Sequence, residues 1–330
     1  MKKNLKVSII GGKASGKTCF LMGMYAVMRR GMNNFFLHCA DTNDDERLMK
    51  SWSLLTRTGD RKWPTPTTDD LVRYHFTFKS GLTRTLAEFE WIDYRGSLLH
   101  ETSDASAQLV AEFNQSDCIF FCADGNELRS PVGDRLFDVD NSLCISRAKV
   151  LLDGLQKRVP IVVIVTKNDI CNSLMKNDLT KDIELLFDAW LAKGEGWDVM
   201  ICPVTLGVDL SDEMQDAPIN PRSMHLPLIY AIFSMQVESL MAVERDIRRL
   251  RESRMACEHR IGALGTNFVS EFLNRQQIEE ASRESSYLAQ QVVRQDRELR
   301  RLKQELSQLG HELSKATMYS NGERVTVAGK

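Results

Sequence analysis

The chain has 330 residues, more than the ~100–150 at which single domains cluster and too few for three of them. A hydrophobic content of 43% is that of a folded protein and excludes a wholly disordered or fibrous chain. Lys and Arg number 43 against 45 Asp and Glu, a formal charge of −2, so there is neither a global basic surplus suited to nucleic acid nor an acidic solvating tail. The prolines are unevenly placed: every one lies at or before Pro227, and every Trp at or before Trp197. The composition thus splits the protein into a proline- and aromatic-bearing body and a proline-free remainder.

No apolar core of secretory type follows the basic N-terminus. The apolar runs Cys118–Ala123, Ile161–Val165 and Leu226–Met235 fall short of the ~18–20 residues a membrane span needs. The eight cysteines are scattered, without a Cys-x-x-Cys pair or zinc-site His spacing. These features predict a cytoplasmic protein with buried reduced thiols and no transmembrane segment.

In chain order, Leu5–Ile10 reads as a buried strand ending in Gly11-Gly12, and Thr18–Arg29 has helical spacing. Leu71–Phe78 and Thr83–Ile92 are β-rich runs joined by the hairpin signal Lys79-Ser80-Gly81-Leu82. Cys118–Ala123, Ile161–Thr166 and Val199–Val204 read as further strands, with helices at roughly 100–114, 142–157 and 179–193. Alternating strands and helices predict an α/β fold, a mostly parallel sheet with helices on both faces. Ligands bind such sheets at the carboxyl ends of the strands.

One motif sits at such an end. Gly11-Gly12-Lys13-Ala14-Ser15-Gly16-Lys17-Thr18 matches the phosphate-loop pattern G-x-x-x-x-G-K-[S/T] in full, after a strand and before a helix. The glycines let successive N–H groups curl around an anion, and the helix N-terminus adds its dipole. Lys17 supplies a point charge for the β- and γ-phosphates, and the Thr18 hydroxyl is a hard oxygen ligand for Mg²⁺.

With this loop the sequence resembles P-loop GTPases of the Ras-like, translation-factor-related class over roughly residues 5–235. The resemblance implies GTP or GDP with Mg²⁺ as cofactors. Residues 11–18, with Cys19 beside them, would form the nucleotide cradle. Asp93-Tyr94-Arg95-Gly96 looks like the family's D-x-x-G: Asp93 would serve Mg²⁺ and Gly96 would touch the γ-phosphate. Thr166-Lys167-Asn168-Asp169 looks like [N/T]-K-x-D, in which Asp169 accepts from both guanine N–H groups and the Lys167 stem lies along the base. Thr205 and Leu206, in Val204-Thr205-Leu206-Gly207, stand where the family has a short loop whose backbone meets guanine O6. Trp63-Pro64-Thr65-Pro66-Thr67-Thr68 stands where switch I belongs, with Thr67 as the implied metal-capping threonine and Thr68 and Thr65 as alternatives. Lys17, Thr67, Gly96 and Lys13 form the implied catalytic set.

The match departs from the family in two places. Ser97 stands where small GTPases often carry a water-orienting Gln, and Lys13 stands where many relatives have a small residue. The Lys13 ammonium is a candidate for stabilising γ-phosphate charge in cis. Segments at roughly 32–62, 124–142 and 207–223 exceed a minimal domain. The combination is also loosely similar to GTPases encoded with bacterial conflict systems.

From Leu240 to Phe268 and from Ile278 to Leu313, apolar residues recur at 3-4 spacing among Arg, Glu and Gln, the pattern of a coiled coil. Arg254, Ser285 and Gln295 fall at polar seam positions. The two registers differ by three residues, which means either a stammer or a turn near Gly262–Asn267. Two glycines in four residues favour the turn, and so a helical hairpin. The predicted organisation is a nucleotide domain at 1–235, a coiled-coil hairpin at 236–315 and a loose tail at 316–330. The function this implies is a Mg²⁺·GTP switch that hydrolyses GTP. The coil would serve self-association, possible as a homodimer, or binding of a protein partner. The alternatives are a pseudo-GTPase scaffold and a P-loop ATPase or kinase.

Overall fold

The computed structural model describes residues 4–64, 71–94, 104–125, 139–171, 183–208, 210, 216–265 and 268–327. Strand β1 (Asn4–Gly11) runs parallel to β4 (Arg84–Tyr94) on one side and to β5 (Cys118–Asp124) on the other. Strands β6 (Ile161–Thr166) and β7 (Asp198–Pro203) continue the parallel series. Each edge then turns antiparallel. Beyond β4 lie β3 (Leu71–Ser80) and β2 (Phe35–Cys39), and beyond β7 lie β10 (Thr317–Ser320) and β11 (Glu323–Val325). The sheet order is β11-β10-β7-β6-β5-β1-β4-β3-β2. A separate ribbon pairs β8 (Thr205–Gly207) with β9 (Ile219–Arg222).

Helices fill the connections. They are α1 (Lys17–Arg29), α2 (Thr42–Leu55), α3 (Asp104–Gln115), α4 (Val139–Asp153), and the single turns α5 (Asn168–Cys171) and α6 (Asp188–Leu191). Central strand β5 is buried along its whole length, which explains its unbroken apolar run. Its side chains alternate between faces. Ile119, Phe121 and Ala123 join a core with Phe113 of α3, Leu152 of α4 and Trp190 of α6. Phe120 faces the other way and meets Phe20 of α1 and Trp91 of β4, with ring centroids 6.4 and 5.4 Å away.

The predicted parallel sheet and the Lys79–Leu82 turn are present. The 32–62 segment, expected only as an insertion, contributes β2 and α2. Asp41 caps α2 by accepting from Asn43 N at 2.7 Å and Asp44 N at 3.1 Å, which satisfies first-turn donors. Of the helix predicted over 179–193, the described part is helical at 183–186 and in α6, with a break at Phe187.

The C-terminal part consists of α7 (Leu226–Leu264), α8 (Phe268–Leu273) and α9 (Arg275–Glu312). The chain forms two compact units, one of residues 1–232 with 312–328 and one of 233–311 with 329–330. In the second unit α7 and α9 run antiparallel, because partner numbers rise on one helix as they fall on the other. Gln236 bonds Glu305, Arg251 bonds Asp296 and Arg260 bonds Glu284, at 2.9, 3.4 and 2.8 Å. The register break is therefore a turn, closed by Asn274 Nδ2 donating to Leu264 O at 3.2 Å. Ile247, Cys257, Ala281 and Leu302 are buried in the hairpin unit. Arg254, placed at the seam from its spacing, is instead exposed and pairs with Glu258 one turn on, since a charged head prefers water to a two-helix seam. Helix α7 holds an 18-residue stretch of mean hydropathy 1.5, long and apolar enough to cross a membrane, with 44% of it buried. Leu228, Ile229, Ala231 and Ile232 of this helix are buried in the first unit.

The tail expected to be loose at 316–330 is corrected in its described part, 316–327: β10 pairs with β7 and with β11. Met318 and Tyr319 are buried there, and Asn321 donates its N–H to Trp197 O while its Oδ1 accepts from Gly194 N and Gly196 N. Backbone pairing with an open sheet edge needs little apolar sequence, so hydropathy did not reveal it. Glu312 begins this return. It accepts from Asn33 Nδ2 at 2.7 Å and lies 3.6 Å from His225 Nε2.

The return of the chain to the sheet can be tested at two residues. Gly322 has φ +78, and a Cβ there would lie 2.6 Å from Lys193 N and 2.7 Å from Leu191 O. Gly322→Ala is expected to lower the unfolding free energy by about 1–3 kcal/mol in urea titration, whereas a loose tail would show no change. Burial holds the His225 imidazole below its ordinary value, against the opposing pull of Glu312. The unfolded chain then binds more protons below about pH 6.5, so stability is full above that pH and falls as the solution is acidified. His225→Gln is expected to flatten this slope in unfolding curves taken between about pH 5 and 7.

Candidate functional site

The phosphate-loop residues leave β1 and enter α1 at the carboxyl end of the parallel strands. Gly11 is required by position. Its φ is +150, and a Cβ there would stand 2.6 Å from Cys122 O on neighbouring β5. The loop then curls, with Ala14 at φ +62. Ser15 Oγ donates to Gly12 O at 2.9 Å and pins the curl from inside. Gly16 is the N-cap of α1 and no side-chain bond caps the helix, so its first-turn N–H groups are left to an anion. Lys17 is buried, and its Nζ donates to Gly11 O and Gly12 O at 3.0 Å each, which holds the ammonium over the loop. Lys13 and Ala14 are exposed on the outer rim.

Asp93, next to last in β4, lies opposite Ile9 of β1, two residues before the loop, and is 3% exposed. Thr18 lies on the first turn of α1. A hydroxyl and a carboxylate are hard oxygen donors, and with the uncapped helix start they fit Mg²⁺ bound beside phosphate. Thr67, its alternatives Thr65 and Thr68, and Gly96 and Ser97 lie outside the described residues.

The second loop closes on the first. Thr166, at the end of β6, donates its hydroxyl to Ser15 O at 2.8 Å, with Ala123 O at 3.2 Å. Lys167 follows at φ +50, and its Nζ meets Asp124 Oδ2 at 2.6 Å. This pair anchors the Lys167 stem, and Asp124 belongs to no sequence motif. Only its place at the end of β5, next to β6, makes it the partner. Asn168 N bonds Val204 O at 3.2 Å, and Asp169 Oδ1 accepts from the Thr205 hydroxyl at 2.9 Å. Thr205, Leu206 and Asp169 therefore share one edge of the site. Cys19, just inside α1, is a half-buried thiol pushed up to about 11 by desolvation, with the Lys167 ammonium pulling it down. It stays protonated and neutral at physiological pH.

Of the predicted site residues, those at 11–19, 93, 166, 167, 169, 205 and 206 gather at one end of the sheet. Among the described residues, no group of three or more His, Cys, Asp or Glu forms a metal cluster.

The sequence matches the family described as Double-GTPase 2 over residues 6–193. No curated protein matches it. Among solved structures it is similar to the mammalian SRP receptor, at 11% identity over 61% of this chain and 90% of that one, with a TM-score of 0.34. It is similar to the signal recognition particle receptor SRb-GTP/SRX complex from Chaetomium thermophilum, at 16% identity over 65% of this chain and 96% of that one, with a TM-score of 0.36. A third is an ADP-ribosylation-factor-like GTP-binding protein, a small COPII coat GTPase, from Encephalitozoon cuniculi in complex with GDP. There the identity is 15% over 62% of this chain and 70% of that one, with a TM-score of 0.32.

Thr166→Val removes the hydroxyl between the two loops and leaves Ser15 O without it. Unfolding free energy is expected to fall by about 1–2 kcal/mol in denaturant titration. Thr166→Ser, which keeps the donor, is expected to recover most of that loss.

Proposed function

The chain belongs to the Double-GTPase 2 family, and from that membership and the geometry above we propose that it is a guanine-nucleotide switch that binds Mg²⁺·GTP and hydrolyses it to GDP and phosphate. The observation that carries the reading is the bond between Thr166 and Ser15. It joins the phosphate loop to the loop that carries Asp169 at the carboxyl ends of central strands.

In this reading the N–H groups of residues 13–18 and the Lys17 ammonium bind the β- and γ-phosphates. The ammonium exchanges the carbonyls of Gly11 and Gly12, which hold it now, for stronger charge-assisted bonds. Thr18, Asp93 and Thr67 would hold Mg²⁺, which supplies charge neutralisation on the phosphate oxygens. The Asp169 carboxylate accepts from guanine N1–H and the 2-amino group, donors that adenine lacks as a pair. Its orientation is set by the Thr205 hydroxyl. The Lys167 stem, fixed by Asp124, lies along the base.

Hydrolysis is in-line attack of water on the γ-phosphorus. The new P–O bond forms as the bond to the β-phosphate oxygen breaks, and the water's proton passes to phosphate. The Lys13 ammonium, exposed beside the loop, would meet charge developing on the γ-phosphate oxygens. Ser97 is shorter than the Gln of many relatives, so unassisted turnover is slow. Nucleotide state is read out through ordering of the switch segments, and the helical hairpin serves self-association or a protein partner.

Phosphate release from GTP by the purified chain tests the enzyme. Lys17→Ala is expected to abolish release and weaken binding of a fluorescent GTP by roughly ten- to hundred-fold, the range for losing a charged hydrogen-bonding group. Tight binding with no release from the wild-type chain under any condition would establish a scaffold instead. Asp169→Asn is expected to move preference from guanosine to xanthosine nucleotides in competition assays. Unchanged preference would place base reading elsewhere. Solution mass measured with GDP and with a non-hydrolysable GTP analogue reads the role of the hairpin, and a nucleotide-dependent change in mass is the expected result.

A further inference from the structure

Arg61 lies in the segment after α2, outside every sequence motif, yet it is only 6% exposed. Its Nε donates to Leu55 O at 3.2 Å, at the carboxyl end of α2 where carbonyls lack helical partners. The next residue repeats the attachment, since Lys62 N bonds Leu54 O at 3.1 Å. The other end of the guanidinium donates through Nη2 to Ala217 O. Nearby, Asp216 Oδ1 lies 3.8 Å from where a Cβ on Gly59 would stand. Arg61 thus clasps together two segments, 32–62 and 207–223, that both exceed a minimal nucleotide domain.

Ala217 leads directly into β9, and β9 pairs with β8 through Thr205 with Arg222 and Gly207 with Ile219. Within β8 the Thr205 oxygen accepts from Gly207 N at 3.1 Å, and its one proton is shared between Gly207 O at 2.5 Å and Asp169 Oδ1 at 2.9 Å. A contiguous set of bonds therefore runs from the Arg61 guanidinium through the β8–β9 ribbon to the carboxylate assigned to guanine. A planar fork with fixed donors transmits position better than a flexible ammonium does.

We infer that Arg61 is a positioning residue for base recognition, holding the β8–β9 ribbon so that Thr205 keeps Asp169 aimed at the guanine edge. The inference rests on the proposed guanine-nucleotide function. It adds to that function a determinant of specificity outside the recognised motifs. Because Asp169 would bond both N1–H and the 2-amino group, the sensitive readout is discrimination between GTP and inosine triphosphate. The inosine nucleotide lacks the 2-amino group and is otherwise the same.

The experiment measures the affinities of the full chain for both nucleotides by calorimetry, in wild type, Arg61→Gln and Arg61→Lys, with thermal unfolding of each as a fold check. Expected is a fall of roughly two- to thirty-fold in the GTP-to-ITP preference of Arg61→Gln, the range for residues that act through a network, with a smaller fall in Arg61→Lys. An equal weakening of both nucleotides, or an unchanged ratio in a folded variant, would overturn the inference and leave Arg61 as a structural clasp only. If the wild-type chain binds neither nucleotide, the proposed function fails first and the inference fails with it. A wild-type chain that binds both without preference overturns the inference together with the 2-amino contact assigned to Asp169, while nucleotide binding itself stands.

Discussion

A single hydroxyl proton on Thr166 connects the two halves of the nucleotide site. It reaches Ser15 O from the end of β6, although β6 and β1 are not neighbours in the sheet. Strand β5 lies between them. That reach is possible only because β1 ends in Gly11, which lets the phosphate loop fold down over Cys122 and Ala123 of β5. A side chain at Gly11 would force the two backbones apart. The cradle therefore depends on close packing of three parallel strand ends, and the positive φ values at Ala14 and Lys167 are the backbone strain this packing sustains.

Charge is handled differently across the site. The Lys17 ammonium is buried against carbonyls, neutral acceptors that hold it in place without cancelling its charge. It thus stays available to an anion. The Lys167 ammonium meets a carboxylate, Asp124, whose own side chain is almost fully buried. The Lys167 side chain is itself partly exposed, so the pair contributes less than a fully buried one. Lys167 is in this way fixed as an apolar stem, and Lys17 is kept as a charge.

The helical hairpin obeys a simpler rule. Most of its ion pairs, such as Arg260 with Glu284, are exposed on both sides and each contributes at most about 1 kcal/mol. Its stability comes from the narrow apolar seam around Ile247, Cys257, Ala281 and Leu302. The buried bond from Gln236 to Glu305 is the exception. A polar pair there disfavours any slip of the two helices, because a slip would bury the Gln236 amide without this partner.

By itself the sequence determined the elements whose information is local. A glycine-rich octet after an apolar run, a Thr-Lys-x-Asp after another, and a change of heptad register at two glycines each carry their structure within a few residues. The parallel sheet, the phosphate loop, the base loop and the hairpin were legible for that reason. The tertiary structure alone decided what depends on distant neighbours. Asp124 pairs with Lys167 because β5 lies beside β6, and Arg61 meets Ala217 from a remote part of the chain. Thr317–Ser320 becomes a strand because β7 offers an unpaired edge. None of these partners leaves a periodic trace, since a hydrogen bond between remote segments requires only one donor and one acceptor brought together by the fold.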